Sequence, residues 1–300
     1  MSMSIILEDR ENFSAQGLTQ FEFSPEIRPE AACIRLLLGT CEVTNTHTGV
    51  RVAVETNFLE SPEIKNERVD LSFLDHYQEG LSSVDYQNHF MGSPSRNRVF
   101  YRDFLDEMSV ACSAAEQRLG VLSFLHAYRA YERISYAFPL IYASKTSDYI
   151  GSFGKLKDWI SDKKADGSSA GELAFFKNFL QAFYSEDERN ATLDFNFIGS
   201  EDIRRKQFSL VKNHLLKWNE DDVTVSTIEN ERISVKFSDL HSLLLSTRNR
   251  YFHQMSGRGD NIKQSGIVDA ETFFQVLSRP LITYISVIFH DIIVFEMRRE

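Results

Sequence analysis

The feature that most constrains this chain is how rarely it is interrupted: 300 residues carry only six Pro and 14 Gly. Few breakers favour long helices over a turn-rich all-β fold. From about Phe100 onward the apolar residues recur at helical rather than alternating spacing. Tyr101 to Leu119 reads as one helix and Val121 to Phe138 as another, with Pro139 expected to stop or kink it. The second is apolar on nearly every side, as in a helix buried in a bundle or against a partner. Leu173 to Tyr184 and Ile203 to Trp218 follow as further helices, separated by the loop-like Ser185-Glu-Asp-Glu-Arg-Asn190 and the segment around Asn196. Val223 to Ile228 and Ile233 to Phe237 read as a β-hairpin inserted near 222–237. A helix over 239–254, capped by Ser238-Asp239, is followed by a Gly-rich loop. The last helix starts at Asp269, with a kink or break expected at Pro280.

The first ninety-odd residues read differently. Ala31 to Val43 and Val50 to Phe58 are β-rich runs joined by the turn-like Asn-Thr-His-Thr-Gly, which predicts a hairpin. Residues 60–98 are polar, with loop signals at Pro62, Gly80, Gly92 and Pro94. The expectation is an α+β, mainly α protein, with a small β-rich N-terminal domain over 1–95 and a helical domain over 96–300.

Hydrophobic and charged fractions of 42% and 25% are those of a globular chain, and the formal net charge is −10. Acidic balance argues against general nucleic-acid coating but leaves room for a local basic site. Cys33, Cys41 and Cys112 are odd in number and form no CxxC pair, so neither a disulfide framework nor a zinc knuckle is indicated. The start lacks a signal-peptide pattern. The apolar run Leu281 to Phe295 is interrupted by His290 and Asp291 and is too short to span a bilayer. The expected location is the cytoplasm. Strings diagnostic of P-loop ATPases, zinc proteases and α/β hydrolases do not occur, and Glu186-Asp187-Glu188 reads as a loop rather than a metal site.

One helix carries a chemically loaded face. On a wheel for 239–254, Leu240, Leu244, Thr247 and Tyr251 form one apolar stripe. Asn249 and His253 are four apart and share a face with Ser242 and Ser246, roughly 140–180° from it. Arg248 sits on the rim. An imidazole that exchanges protons near neutral pH, a guanidinium that forks onto phosphate oxygens, and a positioning amide suit phosphodiester transfer. The structural alternative is a His stabilised at a helix C-terminus beside an Arg in a surface ion pair.

Arg-Asn-x-x-x-His, near the end of a helix and before a loop and a final helix, resembles the R-x4–6-H signature of the HEPN superfamily. The similarity spans roughly residues 100–300. It implies a helical bundle that dimerises with its motif helices facing, forming a composite cleft that cuts RNA without metal or cofactor. Arg248 and His253 would be the catalytic pair, Asn249 the polar residue beside them, and Arg258 and Lys263 the contacts to substrate phosphates. Attack by a ribose 2′-hydroxyl would leave 2′,3′-cyclic phosphate and 5′-hydroxyl ends. One helix offers one His where transfer needs both a base and an acid, so a homodimer is expected. Proteins of this kind serve in toxin–antitoxin, abortive-infection and antiviral systems. By that analogy the N-terminal domain would sense a trigger or dock a partner or antitoxin. The R-x4-H-x-Y continuation of some relatives is absent, because Gln254 and Met255 follow His253. The rival expectation is a non-catalytic binding or scaffold subunit.

Weaker features carry two readings each. Glu132 could orient His253 or pair with Arg129 or Arg133. Arg204, Arg205, Lys206, Lys212 and Lys217 could track an RNA backbone or form a solvated helix face.

Overall fold

Between Pro29 and Gly39 the chain is bracketed for a helix. Proline at the first helical position costs no hydrogen bond, and α1 (Pro29–Leu37) follows with every residue buried. It ends in a Schellman turn: Thr40 N–H donates to the Arg35 carbonyl at 3.1 Å and Gly39 N–H to Leu36 at 3.0 Å. Gly39 has φ of +71°, and a Cβ there would lie 2.7 Å from the Thr56 carbonyl oxygen, so no other residue fits. The expected strand from Ala31 is therefore a helix up to Leu37. Burial on all sides erased the helical period that would have revealed it.

The computed structural model describes residues 5–11, 13–23, 27–59, 70–92, 97–145, 148–160, 172–216, 225–228, 230–252, 262, 267 and 269–298. The chain divides into two compact units, 1–134 with 285–300, and 135–284. Helix α4 (Arg98–Glu116) begins beside the boundary expected near residue 95, and the first unit continues past it.

In the first unit, β1 (Ile5–Asp9), β2 (Cys41–Asn45) and β3 (Arg51–Ala53) form an antiparallel sheet in that order. The β2–β3 hairpin is the one expected, turned by Gly49 at φ +70°. The region 60–98, read as loops, contains α2 (Leu74–Tyr77) and α3 (Ser83–Gly92) among its described residues. Helix α5 (Gly120–Ser144) then runs antiparallel to α4. Ser123 Oγ donates to the Ala111 carbonyl at 2.9 Å, His126 Nδ1 lies 2.7 Å from Glu107, and Arg133 pairs with Asp103 at 3.0 Å. The central fastening of this unit is Arg35, fully buried. It donates to Thr40 Oγ1 (2.8 Å), the carbonyls of Phe21 (2.5 Å) and Thr40 (2.9 Å), and Asp9 (2.8 Å). Its guanidinium lies over the rings of Phe13 (3.5 Å) and Phe23 (4.4 Å). One side chain thus ties β1 and two loop segments to the end of α1.

The second unit contains α6 (Tyr149–Ile160), α7 (Glu172–Phe183), α8 (Glu186–Asn190), β4 (Thr192–Asn196), α9 (Glu201–Leu216), β5 (Val225–Ile228), β6 (Arg232–Lys236), α10 (Phe237–Tyr251) and most of α11 (Ala270–Met297). The β5–β6 hairpin is the insertion expected. Strand β4 joins its other edge, with Thr192 opposite Lys236. The expected loop at 186–190 is a short helix instead, closed by a capping box between Ser185 and Glu188. Phe138, Phe176, Phe179 and Phe183, with Tyr142 and Trp159, form the aromatic core.

Neither proline stops its helix. Pro139 lies inside α5 and Pro280 inside α11. A mid-helix proline costs about 3 kcal/mol, which burial of Phe138, Ile141, Leu277, Leu281 and Ile282 offsets. At 28 residues, α11 is long and apolar enough to cross a membrane by length and composition, yet 61% of its most apolar stretch is buried within the protein.

Candidate functional site

The motif helix α10 follows directly on β6, starting two residues before the expected point. Its N-cap position falls on Lys236, which makes no side-chain cap bond, so Ser238 and Asp239 lie inside the first turn rather than at the cap expected of them; the Phe237 N–H donates to the Ala191 carbonyl at 2.8 Å. The apolar stripe is where the wheel placed it, with Leu240, Leu244 and Thr247 buried. Ser242 and Ser246, expected on an open polar face, are also buried. The reason is packing: from Phe237 to Thr247 this helix is enclosed on almost every side, so its small polar residues line the interior.

Exposure begins at the last turn. Arg248 is half-buried and Asn249 exposed, and Arg248 Nη1 donates to Asn249 Oδ1 at 2.9 Å. Arg248 and Arg250 occupy the negative end of the helix dipole, a favourable position for cations. A phosphate bound there would have to be held by the guanidinium, because the helix end itself repels it. The aromatic residues beside them fix this end: Tyr251 packs edge-on against Phe274 at 4.6 Å, and Phe252 lies 5.7 Å from the same ring. At the other end Phe237 meets Tyr284 at 4.7 Å, so α10 and α11 run antiparallel within this unit. Ile262 N–H donates to the Arg250 carbonyl at 3.0 Å. Phe252 and Ile262 therefore both lie at the end of α10 that presents Arg248 and Asn249. His253, Arg258 and Lys263 lie outside the described residues, as does Lys217.

Among the weaker candidates, Arg205, Lys206 and Lys212 have partners on their own helix. Arg133 pairs with Asp103. Glu132 is half-buried in the first unit. Arg205 and Lys206 both bind Asp202, at 2.6 and 2.9 Å, and Lys212 lies over the Phe208 ring. That is a helix face knitted to its own Asp202 and Phe208. Among the described residues no group of His, Cys, Asp and Glu could hold a metal ion.

Three features escaped the sequence reading. Lys177, Gln181, Arg189, Ser238 and His241 line a small pocket at the N-terminal end of α10. Burial, and then the Lys177 charge, push the His241 imidazole down to about 3. In the first unit His290, wholly buried, has Nε2 2.6 Å from Tyr86 Oη, and burial pushes it down to about 3 as well. His126, also buried, is tethered to Glu107. A histidine four residues from a neighbouring turn gives no signal of such partners, which come from other helices.

No family model, no curated protein and no solved structure matches this chain.

Proposed function

We propose that the chain is a metal-independent endoribonuclease of the HEPN kind, acting at the C-terminal end of α10 with Arg248, Asn249 and His253, and working as a homodimer in a defence or toxin system. The observation that supports this reading is the end of α10 itself. A helix buried for three turns opens at Arg248 and Asn249, and the chain on either side of 253–261 closes on that same end through the Ile262–Arg250 hydrogen bond. In the proposed step the ribose 2′-oxygen bonds to the adjacent phosphorus and the bond to the 5′-oxygen breaks. One His253 takes the 2′-hydroxyl proton, and its counterpart in the second copy gives one to the leaving 5′-oxygen. Arg248 carries the charge gathered on the phosphorane oxygens. Arg258 and Lys263 would hold flanking phosphates. The nucleophile belongs to the substrate, so DNA resists.

The test is cleavage of a labelled RNA pool in EDTA by wild type, Arg248→Ala and His253→Ala, with end-group analysis. Loss of at least about 100-fold in both variants, and cyclic-phosphate ends from wild type, are expected. Cleavage that needs a divalent ion and ignores both substitutions would sink the reading.

A further inference from the structure

Three elements of the second unit bring polar donors to one small cavity of about 10 Å³. Lys177 comes from α7, Arg189 from α8 and Ser238 from the first turn of α10. Both cations are half-buried. Among the described residues neither has a carboxylate partner, and the Ser238 side chain makes no hydrogen bond. No Asp or Glu is among the described lining residues either. The acids of α8 are placed otherwise: Glu188 accepts from Ser185 at 2.7 Å in the capping box, and Glu186 and Asp187 are exposed. Asp239, next to Ser238, does not line the cavity.

The walls hold these donors in place. Arg189 Nη1 donates to the Gln181 carbonyl at 3.1 Å, which fixes the guanidinium and uses one of its five donors. The bond from Phe237 N–H to the Ala191 carbonyl ties the end of α8 to the start of α10. On the apolar side Phe237 stands edge-on to Tyr184 and Tyr284, at 5.0 and 4.7 Å. Beside such walls charges reach further than they do in open solvent. That reach is visible at His241, where burial first and the Lys177 charge second hold the imidazole down at about 3. The ring therefore adds no third positive charge at neutral pH.

Two cations without a counter-charge, beside a hydroxyl, make an anion site, and the charge selects the anion. A carboxylate brings one negative charge. A phosphoryl group brings about −1.5 to −2 at pH 7, with three acceptor oxygens. The cavity admits little more than one water-sized sphere, so one oxygen enters and the rest of the ligand stays at the opening. We propose that Lys177, Arg189 and Ser238 bind a phosphoryl group, as free phosphate or as the end of a phosphomonoester. The hydroxyl donates to one oxygen, and the two cations hold the others. This site lies at the opposite end of α10 from Arg248, and it does not depend on the ribonuclease reading.

The experiment titrates the full-length protein with inorganic phosphate, phenyl phosphate and acetate by calorimetry, at an ionic strength held constant with chloride. One phosphate compound per chain is expected to bind, and acetate at least about tenfold more weakly. Lys177→Gln and Arg189→Gln should each weaken phosphate binding at least about tenfold, whereas Lys177→Arg retains most of it. Melting of each variant verifies folding. In wild type, binding should also shift the ring resonances of His241. Tighter binding of phenyl phosphate assigns the site to monoesters, and tighter binding of phosphate assigns it to the free ion; both uphold the proposal. It is overturned if neither compound binds more tightly than about 10 mM, if acetate binds as well, if the His241 resonances stay still, or if the double Gln variant binds phosphate as wild type does.

Discussion

Two arginines, one in each unit, show opposite uses of the same side chain. Arg35 is entirely buried, with every guanidinium nitrogen donating and a phenylalanine ring against it. Arg248 stands half-buried at a helix end, its Nη1 on an exposed neighbour. The first holds three separate stretches of chain in one arrangement and has nothing left to offer a ligand. The second is positioned by its helix and still presents polar surface. Burial together with complete hydrogen bonding marks Arg35 as an architectural cation, whereas Arg248 is the one to which the proposed reaction assigns the phosphorane charge.

The largest test of that contrast is Arg35→Met. Removing it strands the Phe21 and Thr40 acceptors, and a loss of about 3–5 kcal/mol in urea unfolding is expected; Arg248→Ala, at a half-buried helix end, should cost about 1 kcal/mol or less. Equal losses would erase the distinction. A smaller effect comes from His290 in one unit and His241 in the other, both pushed down to about 3. The unfolded imidazole, near 6.5, binds its proton first, so stability is lost as pH falls from about 6.5 toward 3. At pH 5 each contributes a loss of about 2 kcal/mol. His290→Phe and His241→Phe should each flatten its share of the urea-midpoint change between pH 7 and pH 5. A slope that survives both substitutions would mean the burial of these rings does not govern it. Smallest is Ser185→Ala. Breaking the exposed capping box should cost about 1 kcal/mol, seen as a modest drop in the unfolding midpoint.

Much of this architecture was readable where the pattern was local. Helices α4, α7, α9 and α10 and the second hairpin follow from period and turn chemistry within a few residues of their true ends, whereas the first hairpin has the expected turn but a leading strand that starts at Cys41 rather than Ala31. What escaped depended on distant partners or on saturation. Strand β4 is a strand only because β6 reaches it from 40 positions downstream, Asp194 to Ser234. Helix α1 is buried all round, so no polar face marked its period. Burial of the residues around Pro139 and Pro280 keeps both helices running past them. At the candidate site, Arg248 and Asn249 sit at the helix end where the motif put them, whereas Ser242 and Ser246 show that a wheel reports which residues share a side and not what covers that side. Arg35 carried no signal, since its neighbours in sequence give no hint of Asp9, Phe13 and Phe23.

The three cysteines have a practical consequence. All of them, Cys33, Cys41 and Cys112, are buried in the first unit, with burial raising each thiol above its ordinary value, and the remainder of the sequence contains none. A thiolate is the reactive form, so in the native protein all three are silent toward a thiol reagent. The rate at which such a reagent is consumed is therefore a clock for the opening of the first unit alone, wound into the wild-type chain without any engineered label.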